Sequence, residues 1–345
     1  MNQPFKLSLA AAAGFLLAAA RGTAAPIPVE PERLPALGRS VAGTDDTTAL
    51  LLNPANLAYQ TGPELRWEAI YGHGAQTAPF SGHAISAGLK LPFSFATAIR
   101  LDLISPPHGA FGGLSSNYEW LTWGLAYQAS ESLAFGFSLQ RAYSSGKVAD
   151  SLGSYTVGIS ARPSSLLGLS LVASHVNGPL DGAAARRIQG LGAVDTSLGA
   201  SITTAIAVRP FTTRALELGL EGRYMTDPHV WEPRATLGID LPPLGRLRGE
   251  FAVLDPEESS PAWRASASLE VDLNGTAGSS QLEGGLLTGT QLGESGSYSF
   301  YNDVAIRSFR EPVGFQRPHL AVRIRLESTP ETREHVALLR KLWNL

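Results

Sequence analysis

The side-chain patterns that most enzymes need are missing from this 345-residue sequence. There is no Cys, which excludes disulfides, thiolate zinc sites and cysteine nucleophiles. Neither the Gly-x-Ser-x-Gly turn of serine hydrolases nor the His-Glu-x-x-His zinc motif is present. Ser145-Gly146-Lys147 is followed by Val148 and lacks the upstream Gly of a phosphate-binding loop. We therefore expect no enzymatic activity from this chain.

The seven His residues and one pair of adjacent carboxylates are the remaining candidates for metal ligands. No two His lie four residues apart, and none has a carboxylate at a metal-ligand spacing. Asp45 and Asp46 are adjacent, but two carboxylates without further ligands more often cap helices and turns. We therefore expect neither a metal ion nor a cofactor.

The charge balance excludes a nucleic-acid partner. There are 27 Lys and Arg against 30 Asp and Glu, which gives a formal net charge of -3 and no basic field for a phosphate backbone. Only 17% of the residues are charged, against about 25% in typical globular proteins. With 36 Gly, this composition favours strands and turns over helices.

The first 25 residues have the pattern of a secretory signal peptide. Lys6 precedes an apolar run over residues 7–20, and small residues follow at positions 22–25. The run is shorter than the roughly 20 residues that a helical membrane span needs, so a helical anchor is the poorer alternative. No later stretch is as apolar, so a mature protein that spans a membrane must do so as a closed barrel.

Residues 63–327 alternate between apolar and polar side chains with a period of two, as half-buried antiparallel strands do. Leu133, Phe135, Phe137 and Leu139, for example, share one face. About fifteen candidate segments start near Glu64, His83, Phe93, Glu119, Ser132, Ser154, Leu166, Asp195, Ala215, Arg234, Arg246, Ala262, Ser280, Ser297 and His319. Bacterial single-chain barrels have an even number of strands, so we predict an all-β fold, a transmembrane antiparallel β-barrel of about 14 strands.

The same alternation predicts which side chains face the lipid and which line the lumen. Leu, Val and Phe would face lipid, and aromatic residues near the segment ends would lie at the membrane interfaces. These aromatic residues include Trp67, Tyr71, Trp120, Trp123, Tyr127, Tyr143, Tyr155, Tyr224, Trp231, Trp263, Tyr298 and Tyr301. The predicted lumen-lining residues are Arg100, Asp102, Glu217, Glu221, Arg223, Arg246, Arg248, Glu250, Glu270, Asp272 and Arg307. Mixed-sign charge of this kind is typical of a satisfied internal network.

A soluble secreted β-sandwich would also alternate apolar and polar residues. The number of strands, their direct succession and the aromatic residues at segment ends favour the barrel. The sandwich stays open as an alternative.

Residues 26–62, the segment before the barrel, do not read as a strand. Thr44 or Asp45 can N-cap a short helix over residues 47–52. Asn53-Pro54 ends that helix, because the residue before Pro avoids the helical region.

The run Gly38-Arg39-Ser40-x-x-Gly43-x-Asp45-Asp46, followed by Asn53-Pro54-Ala55, resembles the N-terminal hatch of the FadL/TodX outer-membrane transporters and their PorV-related proteins. That resemblance implies a fourteen-stranded barrel, plugged by the hatch, through which long-chain fatty acids or other hydrophobic molecules cross. It makes residues 26–62 an N-terminal plug that contains Asp45, Asp46, Asn53, Pro54 and Ala55, and the Asn-Pro-Ala turn would shift when the channel opens. A purely structural plug without transport is the alternative.

The last residues, 328–345, are predicted to form an amphipathic helix. Ser328-Thr329-Pro330-Glu331 has the spacing of a capping box, and Val336, Leu339, Leu342 and Trp343 recur at helical spacing. Its apolar face would lie on the membrane or on the barrel mouth. The region is also similar to the junction in myxobacterial proteins that join a barrel to a protease IV (signal peptide peptidase) domain. The catalytic residues of such a protease domain would lie downstream, so no catalytic position can be assigned in this chain.

Taken together, the sequence predicts an outer-membrane channel or transporter for hydrophobic small molecules, with outer-membrane lipid and a hydrophobic cargo as its partners. Residues 106–116 and 176–192 would be extracellular loops, and both chain ends would be periplasmic. One alternative is an anchoring or accessory barrel of a periplasmic signal peptide peptidase or secretion system. A second is a soluble secreted β-protein.

Overall fold

The structure, a computed structural model, describes residues 34–71, 81–105, 117–144, 153–177, 186–188, 192–194, 200–213, 215–226, 229–242, 244–254, 262–275, 278–292 and 312–325. The predicted signal peptide, the C-terminal helix and most of both predicted extracellular loops lie outside these residues. So do the strand predicted near Ser297 and the residues Tyr298, Tyr301 and Arg307. No helix within the described residues is long and apolar enough to cross a bilayer.

Fourteen antiparallel strands form one closed barrel, which confirms the predicted fold class. They are β1 (Glu64–Ile70), β2 (Ser81–Lys90), β3 (Phe95–Ser105), β4 (Tyr118–Ser130), β5 (Leu133–Ser144), β6 (Gly153–Ser164), β7 (Leu167–Ser174), β10 (Ser201–Val208), β11 (Leu216–Thr226), β12 (His229–Leu241), β13 (Gly245–Leu254), β14 (Ala262–Gly275), β15 (Gly278–Leu292) and β16 (Pro312–Arg325). Two short strands, β8 (Arg186–Ile188) and β9 (Gly192–Val194), pair with each other in a separate two-stranded sheet.

The sheet closes where the first strand meets the last. Glu64 in β1 is paired with Gly88 of β2 on one side and with Arg325 of β16 on the other. All other barrel strands pair with their neighbours in chain order, except that β7 pairs directly with β10. The sandwich alternative is therefore wrong, because a sandwich consists of two separate sheets.

Alternation along the strands gives the barrel an apolar outside and a polar inside. In β5, Phe135 and Leu139 point outward and are exposed, whereas Ala134, Ser138 and Gln140 point inward and are buried. The exposed outer surface also includes Leu65, Ile85, Ile99, Leu103, Val157, Ile159, Leu169, Leu171, Ile202, Leu218, Leu220, Phe251, Leu269, Leu282, Leu286 and Ile324. A belt of this extent is far larger than the apolar patches of soluble monomers and matches a lipid-facing surface.

The aromatic residues of the described strands follow the same alternation, and for Trp120 this contradicts our prediction. Trp123, Tyr127 and Trp263 are exposed on the outside, as expected for interface residues. Trp120 is fully buried instead, because it occupies an inward position of β4, opposite Asp102 of β3. The interface assignment of Trp120 is therefore wrong.

The chain before β1 lies inside the barrel, and nearly all of residues 34–62 are buried. It contains a one-turn helix, α1 (Ala49–Leu52), and a 3-10 helix (Pro54–Tyr59). The predicted break at Asn53-Pro54 is confirmed, since Asn53 is extended with φ -157° and ψ 104°. The 3-10 helix after it was not predicted, although Pro suits a first helical position because that position needs no N–H.

The predicted N-cap of α1 is wrong. The helix begins at Ala49, with Thr48 at the N-cap position and no side-chain cap from it. The Thr44 hydroxyl donates to the Ser40 carbonyl at 2.6 Å and so belongs to the preceding turn. The carboxylate of Asp46 accepts from the backbone N–H of Thr48 at 2.9 Å and from its hydroxyl, which orders the chain before the helix.

Candidate functional site: the plugged lumen

One side of the plug packs against a wall of small residues. Residues 49–59 bury Leu50, Leu57 and Tyr59 against alanines of β3, β4 and β5. Those wall alanines are Ala96, Ala98, Ala126 and Ala134. Small side chains on the wall leave space for the helical part of the plug, so the wall and the plug fit together by shape.

Two paired glycines make space for the Asn-Pro-Ala turn. Gly136 of β5 and Gly158 of β6 are direct neighbours across the ladder. A Cβ atom at Gly136 would overlap the backbone of Ala55, and a Cβ at Gly158 would overlap the side-chain amide of Asn53. Glycine at these positions lets the plug backbone come close to the barrel wall.

Asn53 fixes the turn through its side chain. Its Oδ1 accepts from the Ala55 N–H at 3.0 Å, which caps the 3-10 helix that Pro54 begins. Its Nδ2 donates to Ser170 Oγ at 2.9 Å and to the Ile159 carbonyl at 3.3 Å. One buried amide therefore holds the turn in shape and ties it to β6 and β7.

The opposite side of the plug is held by ion pairs around Arg39. The guanidinium is fully buried, with Nε 3.0 Å from Asp46 Oδ2 and Nη2 2.8 Å from Glu283 Oε2. Glu270 lies 3.4 Å from Nη2. A plug cation is thus placed between carboxylates of β14 and β15, in the charge-assisted geometry that satisfies buried ions.

Asp46 carries the matching negative charge of the plug. Its Oδ2 lies 3.0 Å from Arg39 and 3.3 Å from Arg323 of β16. Burial alone would raise the pKa of Asp46, but Arg39, Arg66 and Arg323 outweigh burial and hold that pKa well below its usual value. Burial would likewise lower the pKa of Arg39, but Glu283 and Asp46 raise it well above its usual value. Both groups are therefore charged at neutral pH.

Wall glutamates also bind the backbone of the plug. Glu250 accepts from the N–H of Gly38 at 2.9 Å, and Glu221 accepts from the N–H of Val41 at 2.7 Å. Glu64 accepts from both the N–H and the hydroxyl of Thr47, at 3.1 and 2.9 Å. These contacts satisfy backbone donors of an irregular segment that would otherwise be unpaired inside the barrel.

The structure brings most of the predicted lumen residues together around the plug. The buried inward residues among them are Arg100, Asp102, Glu217, Glu221, Arg246, Arg248, Glu250 and Glu270. Arg223 also points inward but is partly exposed, with Nε donating to Ser201 Oγ at 3.2 Å. Asp272 is exposed near the end of β14, where it accepts from Gln281, and so is not part of the buried network.

The plug residues predicted from the resemblance, Asp45, Asp46, Asn53, Pro54 and Ala55, are all buried inside the barrel. The analysis of the sequence missed several of their wall partners. Arg66 and Glu68 of β1, Glu283 of β15 and Arg323 of β16 are buried and paired. Each occupies an inward position, so the alternation already applied to these three strands was the signal that could have identified them as lumen residues.

Within the described residues, no group of three or more His, Asp or Glu side chains is arranged to hold a metal ion.

No family model matches the sequence, and no curated protein matches it. Solved structures do match the fold. The CymD monoaromatic hydrocarbon channel superposes with a TM-score of 0.56 at 10% identity, covering 84% of this chain and 95% of that one. The toluene transporter TodX of Pseudomonas putida gives 0.53 at 12% identity, covering 86% and 98%. A FadL homologue of Pseudomonas aeruginosa gives 0.52 at 10% identity, covering 84% and 96%. This chain has the barrel fold of those proteins.

Proposed function

We propose that this chain is an outer-membrane channel through which hydrophobic small molecules cross, with residues 34–62 as its gate. The observation that carries the proposal is a closed barrel, apolar outside, whose lumen is filled by a non-covalently held plug. The fold is shared with a monoaromatic hydrocarbon channel and a toluene transporter. Hydrophobic small molecules are therefore the cargo class that we propose.

The outer membrane is the location that the observations support. A closed barrel with an apolar belt satisfies all its ladder hydrogen bonds in lipid. The predicted signal peptide over residues 1–25 would export the chain across the inner membrane. The connections at one end of the barrel are short, such as the turn between Lys90 and Phe95, which is typical of the periplasmic side.

Transport requires the plug to move, because it fills the space that a cargo would cross. On one side, the plug is held by apolar packing and by its close fit against the glycines of β5 and β6. On the other side, it is held by ion pairs centred on Arg39 and Asp46. We propose that the Asn53-Pro54-Ala55 turn shifts during opening, as the resemblance implies. Its contacts with Ser170 and Ile159 would then break.

The alternative of an accessory barrel for a periplasmic peptidase or secretion system rests on residues after 325, which lie outside the described part of the chain. The barrel itself offers no observation in favour of that alternative.

The test is entry of a hydrophobic fluorescent dye that an intact outer membrane excludes. Cells that express the full chain should take up the dye faster than cells with an empty vector, while entry of a hydrophilic tracer stays unchanged. Outer-membrane enrichment and a heat-dependent shift on a gel would show that the barrel is in place. Equal dye entry with a correctly folded and located barrel would contradict the proposal.

A further inference from the structure

A small cavity lies between the plug and the wall formed by β10 to β13. On the plug side, it is lined by Arg39, Ser40, Gly43, Thr44, Asp45 and Asp46. On the wall side, it is lined by Arg209, Glu217, Arg246 and Arg248. Its volume of about 10 Å³ admits roughly one sphere of the size of a water molecule. The cavity is therefore polar, lies between both parts of the protein and is too small for an organic cargo.

Three of the four guanidinium groups at the cavity have close carboxylate partners. Arg39 lies 3.0 Å from Asp46, and Arg209 lies 2.6 Å from Glu217. Arg246 lies 2.7 Å from Asp240, outside the cavity. The charges of these three groups are balanced by direct contacts at hydrogen-bond distance.

The positive charge of Arg248 is balanced less well by nearby carboxylates than the charges of the other three arginines. Its residue is only 6% exposed, and its Nη2 lies 3.4 Å from Glu270 Oε2. That carboxylate is shared, because Arg39 also lies 3.4 Å from it and Arg323 lies 3.0 Å from its other oxygen. Within the described residues, Nε of Arg248 has no hydrogen-bond partner. A buried cation with an unused donor is thus left at the edge of the cavity.

We propose that this cavity binds a small monovalent anion of the chloride class between the plug and the wall. A buried donor and an incompletely balanced charge are both unfavourable when left alone. A water molecule would accept the hydrogen bond but leave the charge, whereas an anion satisfies both. The small volume selects a monatomic ion over a carboxylate or phosphate.

Such an anion has a structural consequence. It touches residues of the plug and of β13 at once, so it binds the plugged state better than any state in which residues 39–46 have moved away. By mass action it would stabilise the plugged barrel. The proposal stands independently of transport, since it concerns only the folded barrel with its plug in place.

The test uses the purified full chain in detergent at constant ionic strength. Chloride is replaced stepwise by gluconate, which is too large for the cavity, and the midpoint of thermal unfolding is recorded. We expect a saturable rise of the midpoint with chloride and with bromide. The rise should be lost in Arg248→Gln and kept in Arg264→Gln, a matched control whose side chain is 36% exposed and lies outside the cavity.

A direct measurement on the wild-type protein tests the proposal even if Arg248→Gln fails to fold. Crystals of the wild-type protein grown in bromide should show an anomalous peak within hydrogen-bonding reach of Arg248 Nε. No peak there, or the same chloride response in folded Arg248→Gln as in the wild type, would overturn the proposal.

Discussion

The side-chain amide of Asn53 occupies the space that a side chain at Gly158 would need. A Cβ at Gly158 would overlap Asn53 Oδ1 and lie 3.1 Å from its Cγ. The same amide caps the 3-10 helix and donates to Ser170 of β7. The barrel wall and the plug turn are thus fitted to each other at one position, and a change on either side is expected to disturb the other.

Gly158→Ala should displace the Asn-Pro-Ala turn while leaving the barrel intact. Overpacking of this kind typically costs about 1–3 kcal/mol. We expect faster entry of the hydrophobic dye and a lower unfolding midpoint of the purified barrel. Gly284→Ala is the matched control, since a Cβ at Gly284 would meet nothing within 4 Å. The account of the fitted turn fails if both variants behave alike.

Replacing Asn53 and Pro54 together by Ala tests the proposed gating role of the turn. The double variant loses the cap, the bond to Ser170 and the fixed φ of Pro. We expect altered dye entry with an unchanged heat-dependent gel shift, which reports a folded barrel. Unchanged entry in this folded variant would remove the turn from the gating mechanism.

Arg39→Met should release the polar side of the plug. It leaves Asp46, Glu270 and Glu283 buried with one cation fewer, and breaking a buried pair typically costs about 3–5 kcal/mol. We expect a large drop in the unfolding midpoint and increased proteolysis of residues 34–62. Arg264→Met removes a partly exposed wall cation and serves as the control. Equal effects of the two variants would argue against a special role of Arg39.

The ion pairs of Asp46 with Arg39 and Arg323 should be insensitive to pH near neutrality and weaken in acid. The pKa of Asp46 is lowered in the folded protein, so its charged form is stabilised there relative to the unfolded chain. That contribution is complete above the unfolded pKa of about 3.9 and is lost as the pH falls through the lower folded pKa. Plug protection from proteolysis should be flat between about pH 5 and 6 and decline below about pH 4. In Asp46→Asn the decline should be smaller, and a wild-type decline already at pH 6 would contradict this reasoning.

Alternation, combined with the even strand number of bacterial barrels, was enough to predict the barrel, its fourteen strands and most of the inward side chains of β11, β13 and β14. A period of two fixes which face each residue takes once the segment is recognised. The error at β4 came from aromatic character, which suggested an interface position for Trp120 although the alternation places it inward. Local residue chemistry likewise predicted the break at Asn53 but not the start of α1.

The partners of the plug could not be predicted from local pattern. Arg39 and Glu283 are 244 positions apart in the sequence, and only closure of the barrel brings them together. The role of Gly136 and Gly158 could not be predicted either. A glycine within a strand indicates that another group comes close to the backbone, but the sequence does not show which group that is. Such contacts depend on the three-dimensional register of plug and wall.

The most direct test of a moving plug is a reversible tether. A Cβ at Gly219 would lie 3.1 Å from Ser40 Cβ, close to the roughly 3.5–4.5 Å of disulfides, and would overlap the Thr236 hydroxyl. The variant Ser40→Cys, Gly219→Cys, Thr236→Ala therefore joins plug to wall in a chain that has no other Cys.

Dye entry is then measured with this variant oxidised and reduced, and with Thr236→Ala alone as the control. We predict that oxidation stops dye entry and that reduction restores it to the level of the control. Equal entry in the oxidised and reduced states, with the disulfide shown to be formed, would contradict a channel gated by its plug.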